Sequence, residues 1–135
     1  MRPILAVLAT LTLGGCATAP LSLCPAGQQS MMVVQLLFGR DVGGRRVVGE
    51  SDWRRFVDRE ITPRFPDGLT ELDASGQWRD PATRTVSREA SKVVVIAFRP
   101  DAGVQERLTA IAEAYKQRFR QKSVGIVTNP ACASF

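Results

Sequence analysis

The sequence predicts an α+β fold of the ferredoxin-like type: a βαββαβ chain forming a four-stranded antiparallel sheet with two helices on one face. Three observations lead to this fold. Apolar and alternating segments follow one another as strand, helix, strand, strand, helix, strand, which is the order of the split βαβ arrangement. The first and third strands are apolar at almost every position, as central strands are, whereas the second and fourth are polar or contain glycine. Two helices cover one sheet face only, so the other face needs a second subunit, a loop or a ligand.

The first strand is expected at residues 31–38, MMVVQLLF, because this apolar run has the length of a strand buried on both faces. The glycine-rich segment GRDVGGRRVVGE follows and is expected to form a loop with a short hairpin at Gly43 and Gly44. Ser51 is expected to cap the first helix, and Pro63 to end it, because proline cannot continue the hydrogen-bond ladder. The apolar face of this helix consists of Trp53, Phe56, Val57 and Ile61.

The segment ITPRFPDGLTELDASGQWRD, residues 61–80, is expected to join the first helix to the second strand. Its prolines and the Asp67-Gly68 pair have the chemistry of a tight turn. LTELDAS then alternates apolar and polar residues, as an exposed edge strand does, and Gly76 interrupts it. The polar stretch PATRTVSREASK could extend the hairpin before the third strand, VVVIAF at residues 93–98.

The second helix is expected to open at Pro100 and Asp101 and to be followed by a short last strand, SVGIVT, at residues 123–128. Apolar residues recur along the helix at the spacing of one face, which indicates a stripe packed on the sheet. The stripe consists of Val104, Leu108, Ile111, Ala112, Tyr115 and Phe119.

The N-terminus, MRPILAVLATLTLGGC, has one basic residue, a short apolar run and small residues before a cysteine. This is the layout of a secretory signal. The apolar run is also too short to span a bilayer as a permanent helix. The ending LGGC resembles the bacterial lipobox. That resemblance implies cleavage after Gly15, diacylglycerol on the Cys16 thiol and acylation, typically palmitate, of the new amino terminus. The alternative is an ordinary signal peptide with a chance cysteine.

Three segments follow from this interpretation: a lipoprotein signal peptide at residues 1–15, a lipidated tether at 16–30 and a single ferredoxin-like domain at 31–135. The tether is rich in proline and small polar residues. Acyl chains would anchor the protein to a membrane. Because Ala17, not aspartate, follows the cysteine, we expect the outer membrane, facing the periplasm.

Lipidation of Cys16 leaves Cys24 and Cys132 as a pair in an oxidising compartment. A disulfide between them is therefore expected, and the alternative is two free thiols, one of them reactive. The chain contains no histidine that could activate a thiolate.

The formal net charge of +5 falls to +4 once Arg2 is removed with the signal. In the envelope, a basic surface meets anionic lipid headgroups or wall polymers, so no nucleic-acid partner is expected. Much of the excess lies at the end of the second helix, where cations complement the helix dipole. These residues are Lys116, Arg118, Arg120 and Lys122.

With RFPDGLT, GQWRD, SKVVVI and the terminal ACASF in order, the chain from about Gln35 to Phe135 resembles a family of small bacterial lipoproteins classed as a domain of unknown function. The resemblance implies an envelope location and carries no established activity. Its motif residues here are Trp53, Phe56, Pro63, Arg64, Phe65, Pro66, Asp67, Gly68, Gly76, Gln77, Trp78 and Lys92.

A shallow pocket is conceivable where the 61–80 segment meets the sheet. An arginine beside a tryptophan suits an anionic or sugar-like ligand. The competing interpretation is structural: Trp78 packs on the sheet and Arg64 pairs with Asp67 to hold the turn. The candidate binding residues are Arg64, Asp67, Trp78, Arg79, Glu89 and Lys92.

Metal and cofactor chemistry is not indicated. Histidine is absent, and Glu71 and Asp73, at i and i+2 of an edge strand with Asp67 near, match no calcium-loop pattern. Solvated edge carboxylates that oppose strand aggregation explain them better. The glycines of residues 39–49 lack the ending of a phosphate-binding loop. No cofactor and no metal are therefore expected.

Two functions remain. The favoured one is a lipid-anchored binding or interaction module of the cell envelope, possible as a homodimer through the open sheet face. The alternative is a small enzyme in the manner of dimeric α/β-barrel monooxygenases and isomerases, which rests on fold analogy. A closed apolar cavity holding a buried Lys92 or Glu89 would favour chemistry, whereas an exposed apolar patch would favour binding.

Overall fold

The computed structural model describes residues 24–135, and the predicted signal peptide, Cys16 and the tether up to residue 23 lie outside the described residues. The fold is the expected α+β sandwich. Its elements are β1 (Gln29–Gly39), β2 (Asp41–Val42), β3 (Arg45–Arg46), α1 (Glu50–Phe56) continued by a π-helical turn (Val57–Ile61), β4 (Thr70–Arg79), β5 (Val86–Phe98), α2 (Val104–Phe119) and β6 (Gly125–Ala133).

The sheet has the order β4-β5-β1-β6, and all neighbours are antiparallel. The two strands that are apolar on both faces, β1 and β5, are therefore the central pair, as predicted. β2 and β3 form the separate small hairpin expected at Gly43 and Gly44. Both glycines have positive φ, 58° and 77°, as a two-residue hairpin turn requires.

The core lies between the sheet and the two helices. It is centred on aromatic rings that meet edge to face, which is the preferred geometry for aromatic pairs. Tyr115 on α2 lies 4.7 Å from Phe38 on β1 and 5.0 Å from Phe56 on α1, between ring centroids. The predicted helical stripes are the ones that are buried: Trp53, Phe56, Val57 and Ile61 in the first helix, and Leu108, Ile111, Ala112, Tyr115 and Phe119 in the second.

The start of the first helix differs from the prediction. The helix begins at Glu50 after Gly49, and no side chain caps it, so Ser51 is not its cap. A tertiary contact outweighs the local capping preference, because the Glu50 carboxylate is bonded by Arg40 and Lys92 from the sheet. The helix ends before Pro63 as predicted, but its last turn is π-helical, with the Thr62 N–H bonded to the Val57 carbonyl at 2.9 Å.

The strands are longer than the sequence indicated. β4 runs through Gly76, which pairs with Glu89, and the hairpin with β5 closes only at Arg79 and Val86. β6 extends to Ala133. In each case cross-strand hydrogen bonds carry polar residues into the sheet, which local composition does not reveal. The start of the second helix also differs from the prediction, because α2 begins at Val104 and not at Pro100 and Asp101.

Cys24 and Cys132 form the expected disulfide, with their Cα atoms 5.4 Å apart. Because Cys132 lies on β6 opposite Ser30 of β1, the bridge holds the segment before β1 against the sheet edge. Ordered structure therefore begins before residue 31. Within residues 24–135, no helix combines the length and the apolar character needed to cross a bilayer.

Candidate functional site

One face of the sheet is not covered by either helix; we call it the open face. Side chains alternate along a strand, and Leu36, Phe38, Val94 and Ile96 point into the core, so the residues between them point outward. The centre of this face is apolar. Leu37 and Leu72 are 40% and 47% exposed, and Val127 is 43% exposed. The apolar centre consists of Val33, Leu37, Leu72, Val93, Val95 and Val127.

Charged side chains are nearly absent from the open face, although they make up 23% of the chain. Among the outward positions of β1, β4, β5 and β6, Glu89 alone is charged. On β4, by contrast, the helix-side positions include Glu71, Asp73 and Arg79. Depletion of charge is the compositional mark of the buried centre of an interface.

A hollow of about 620 Å³ lies at one end of the open face; we call it the glycine hollow. It exists because Gly39, Gly76, Ala74 and Ser91 have small side chains or none. Glu89 lies among them, and a β-carbon at Gly39 would come within 3.2 Å of its carboxylate. Among the described residues, no hydrogen bond or ion pair to this carboxylate is found. Trp78, 53% exposed, stands beside the hollow on β4.

A second hollow of about 930 Å³ lies at the other end of the open face; we call it the turn groove. It exists because β4 begins only at Thr70, opposite Val95, so the rest of β5 has no neighbour on that side. The turn of residues 64–69 forms its wall, and Phe65 and Phe98 lie 5.6 Å apart within it. Gly68 permits the turn with φ of 128°.

Three of the five charged side chains that line the turn groove, Arg64, Asp101 and Arg107, form ion pairs within the chain. Asp101 receives two bonds from Arg107, at 2.7 and 3.1 Å, and these hold the pKa of the Asp101 carboxyl below its usual value. Arg64 pairs with Glu60 at 3.0 Å. Arg99 donates to the Gln29 amide at 2.7 Å and has no carboxylate partner among the described residues.

Four charged residues form a cluster on the opposite, helix-covered side of the sheet. Lys92 Nζ lies 2.6 Å from Asp73 and 3.2 Å from Glu50, and Arg40 lies 2.6 Å from Glu50. Both cations are buried. Burial lowers the pKa of Lys92, but the hydrogen bonds to Asp73 and Glu50 outweigh it, so that the pKa is raised.

The pKa values of the two carboxylates in this cluster are lowered, whereas that of Lys92 is raised. Hydrogen bonds from Arg40 and then Lys92 lower the pKa of Glu50, and a bond from Lys92 lowers that of Asp73. Glu71, the other edge carboxylate, accepts a hydrogen bond from the Trp53 indole. Since each charge has a partner of opposite sign, the cluster needs no ligand to satisfy its charges.

The structure distributes the six candidate residues over four places. Arg64 and Asp67 line the turn groove, Trp78 and Glu89 line the glycine hollow, and Lys92 belongs to the buried cluster. Arg79, which follows Trp78, points to the helix side, and its guanidinium bonds the Arg84 carbonyl. The single pocket expected from the sequence is therefore not formed, because neighbouring residues of a strand face opposite ways. The expected pair of Arg64 with Asp67 is not formed either.

Sequence reasoning overlooked Arg40, Glu50 and Arg99. A signal for Arg40 was present, since it continues the even-numbered series Leu36 and Phe38 that faces the core. Because Arg40 follows the same alternation as Leu36 and Phe38, its side chain points to the core side, and only 4% of the residue is exposed. Glu50 carried no comparable signal, because its partners are brought near only by the folded sheet.

No group of three or more histidine, cysteine or acidic residues arranged to hold a metal ion is found within residues 24–135. Neither hollow is an enclosed cavity around a buried charge, since Lys92 lies on the other side of the sheet and Glu89 faces an open hollow.

Comparison with known families gives one match. The model of a family described as a protein of unknown function, DUF3574, matches residues 33–135, close to the range over which the motifs indicated an uncharacterised family. No curated protein matches the sequence.

Solved structures share the fold at low identity. A phage SAM lyase in complex with S-methyl-5'-thioadenosine aligns with a TM-score of 0.59 at 11% identity, covering 87% of this chain and 97% of the lyase. The apo phage SAM lyase gives 0.57 at 14%, covering 82% and 92%. CutA from Synechococcus elongatus gives 0.50 at 8%, covering 78% and 80%. At these identities the likeness concerns the fold alone.

Proposed function

We propose that this chain, which belongs to the DUF3574 family, is a lipid-anchored binding module of the bacterial cell envelope that receives a protein partner on its open face. The signal-like N-terminus and the LGGC sequence support the anchor. The geometry of the sheet supports the binding role.

One observation carries this proposal: the open face is apolar at its centre and carries a single charge, Glu89, on its strands. Leu37, Leu72 and Val127 would each expose a large apolar side chain to water in an isolated chain. Contiguous apolar patches of this kind mark interaction surfaces in soluble domains. A protein partner fits better than a small molecule, because the apolar area extends across all four strands.

The enzyme alternative has less support. A phage SAM lyase shares the fold at 11% identity, but fold does not carry activity. Two residues suited to acid–base work are engaged elsewhere. Lys92 is paired with two carboxylates. Tyr115 donates its hydroxyl to the Gly39 carbonyl, and burial raises its pKa.

The proposal is tested in the intact envelope with the full-length chain. A photo-crosslinking benzoylphenylalanine at Gln35, exposed in the middle of the open face, is expected to give a protein adduct. The same residue at Gln117, exposed on α2, serves as the matched control and is expected to give none. Equal adducts at both positions, or none at Gln35, would show that the open face is not the binding surface.

The anchor is tested separately. Cys16→Ser is expected to abolish incorporation of labelled palmitate and to release the protein from the membrane fraction, whereas Cys24→Ser is expected to leave both unchanged. Retention of label in Cys16→Ser would contradict lipidation at this residue.

A further inference from the structure

We infer that the partner of the open face is a second copy of this chain, and that the two copies pack open face to open face with their β5 strands antiparallel. This inference rests on the proposed function, since it names the partner of the same surface. Charge, shape and apolar content of the face each point to it.

Along β5, the outward charges at the two ends of the open face are opposite, although Arg120 and Lys122 also line the glycine hollow and Asp67 also lines the turn groove. Glu89 lies near one end of β5 and Arg99 follows its other end, and both face outward. Ten residues separate them, about 33 Å at the rise of a strand. Midway lies Val94, flanked on the open face by Val93 and Val95, the middle of the apolar centre. The face is therefore self-complementary about its apolar centre.

Two orientations are available to a symmetric face-to-face pair. A two-fold axis parallel to the strands would place Glu89 of one copy near Glu89 of the other, and Arg99 near Arg99. These like charges would oppose association. An axis across the strands places each Glu89 over the Arg99 end of the other copy, so that opposite charges meet twice. Like charges across an interface are unfavourable and opposite charges select the orientation. The antiparallel arrangement is the one that the charges favour.

The shape of the face agrees with this orientation. Trp78 lies beside Ser87, seven residues before the midpoint of the Glu89–Arg99 span. The half-turn about this midpoint places Trp78 of one copy at the level of Asp101 in the other copy. The turn groove of the other copy lies there, on the β4 side of its sheet. A half-exposed tryptophan thus meets the turn groove, whose lining combines the largely buried rings of Phe65 and Phe98 with charged side chains. Tryptophan seated in a pocket is a common energetic anchor of interfaces.

The centre of the interface would be mostly apolar. The row Leu72, Val93 and Leu37 crosses three strands, and in the next row Val95 and Val127 lie beside Thr70 and Gln35. Two such faces stacked about 10 Å apart interdigitate as the layers of a β-sandwich do. Burial of these side chains supplies the affinity, and the two Glu89–Arg99 pairs set the orientation.

A charge-swap experiment on the full-length chain in the intact envelope tests the inference. With the photo-crosslinking residue at Gln35, the adduct is expected to have twice the mass of the chain. Its crosslinked peptide is expected to come from β1 of the other copy. Glu89→Arg and Arg99→Glu are each expected to reduce this adduct at least about tenfold, since each creates two like-charge contacts. The double variant E89R/R99E is expected to restore it. Glu106→Arg, a charge reversal on the exposed side of α2, is the control and is expected to change nothing.

Trp78→Ala provides an independent readout. It is expected to weaken the dimer adduct by at least about tenfold while leaving the thermal unfolding temperature near that of the natural chain, because the side chain is half exposed. This variant and Arg99→Glu remain informative if Glu89→Arg fails to fold.

The outcomes separate the two proposals. An adduct of any mass other than twice the chain overturns the inference and leaves the binding role of the open face standing. A dimer adduct that is insensitive to charge reversal, or that the double variant fails to restore, overturns the antiparallel arrangement. Absence of any adduct at Gln35 overturns both.

Discussion

Arg40 and Lys92 show how a folded sheet accommodates buried cations. Both side chains are almost fully covered, at 5% and 7% side-chain exposure, while their partners Glu50 and Asp73 keep 56% and 79% of their side chains in water. The carboxylates therefore satisfy the cations without being buried themselves. This arrangement avoids the larger cost of removing both members of an ion pair from water.

The same contacts make stability depend on pH. The pKa values of Glu50 and Asp73 are lowered in the folded state, so their contribution is present above the unfolded-state values of 4.5 and 3.8 and is lost as the pH falls through the lower folded-state values. Lys92→Met removes the cation that both share. We expect a smaller fall in the urea unfolding midpoint between about pH 6 and pH 3 in this variant than in the natural chain.

Lys122→Met, which removes an exposed lysine after α2, is the control and should leave the pH dependence unchanged. An identical pH dependence in Lys92→Met and the natural chain would show that the cluster does not couple folding to protons.

At the residue scale, the sequence named Trp78, Glu89 and Lys92 as candidates for one site. Lys92 precedes VVVIAF, an apolar run in which both faces look alike. Only the register, in which Lys92 pairs with Asp73, shows that it points to the helix side. Periodicity cannot assign a face where the alternation is absent.

At the scale of elements, the sequence predicted which segments form strands and helices better than where they end. Gly76 was expected to interrupt its strand, yet β4 runs through it. The stretch PATRTVSREASK extends the hairpin from Val86 onward, as the sequence allowed. Cross-strand hydrogen bonds decide such boundaries, because strand propensity depends on context.

The end of α2 illustrates local strain that a substitution can relieve. Arg120 terminates this helix in the left-handed conformation, with φ of 55°. Such a conformation costs a non-glycine residue about 1–2 kcal/mol, which a glycine would recover. The greater freedom of glycine in the unfolded chain opposes this stabilisation by about 0.5–1 kcal/mol. We expect Arg120→Gly to raise the free energy of unfolding by about 0.5 kcal/mol, measured by urea unfolding followed by tryptophan fluorescence.

Gln117→Gly, three residues earlier in the same helix, tests the explanation. There the conformation is helical, and glycine should lower the free energy of unfolding by about 1 kcal/mol. Equal destabilisation by the two substitutions would mean that the left-handed cap contributes no strain.

For the whole molecule, the disulfide joins the two ends of the described chain across 108 residues. A crosslink that closes a loop of this size restricts the unfolded chain and stabilises the fold by up to about 4.7 kcal/mol. We expect Cys24→Ser/Cys132→Ser to lower the free energy of unfolding of the full-length chain by a few kcal/mol, as measured by urea unfolding.

Each single serine variant should lose as much stability as the double variant, because either one breaks the bridge. Two thiols that react with an alkylating agent in the native protein would instead show that the bridge does not form.

The sequence alone determined the order of elements, the central position of the two apolar strands and the pairing of the two remaining cysteines. These properties are encoded in local hydrophobic patterns and in composition, which act along the chain. The tertiary structure decided which side each charged residue faces, so that five of the six candidate residues lie in two separate hollows and one buried cluster, and Arg79 lies apart from them. It also showed an apolar face with opposite charges at its ends, because that face is assembled from four strands whose register no single segment contains.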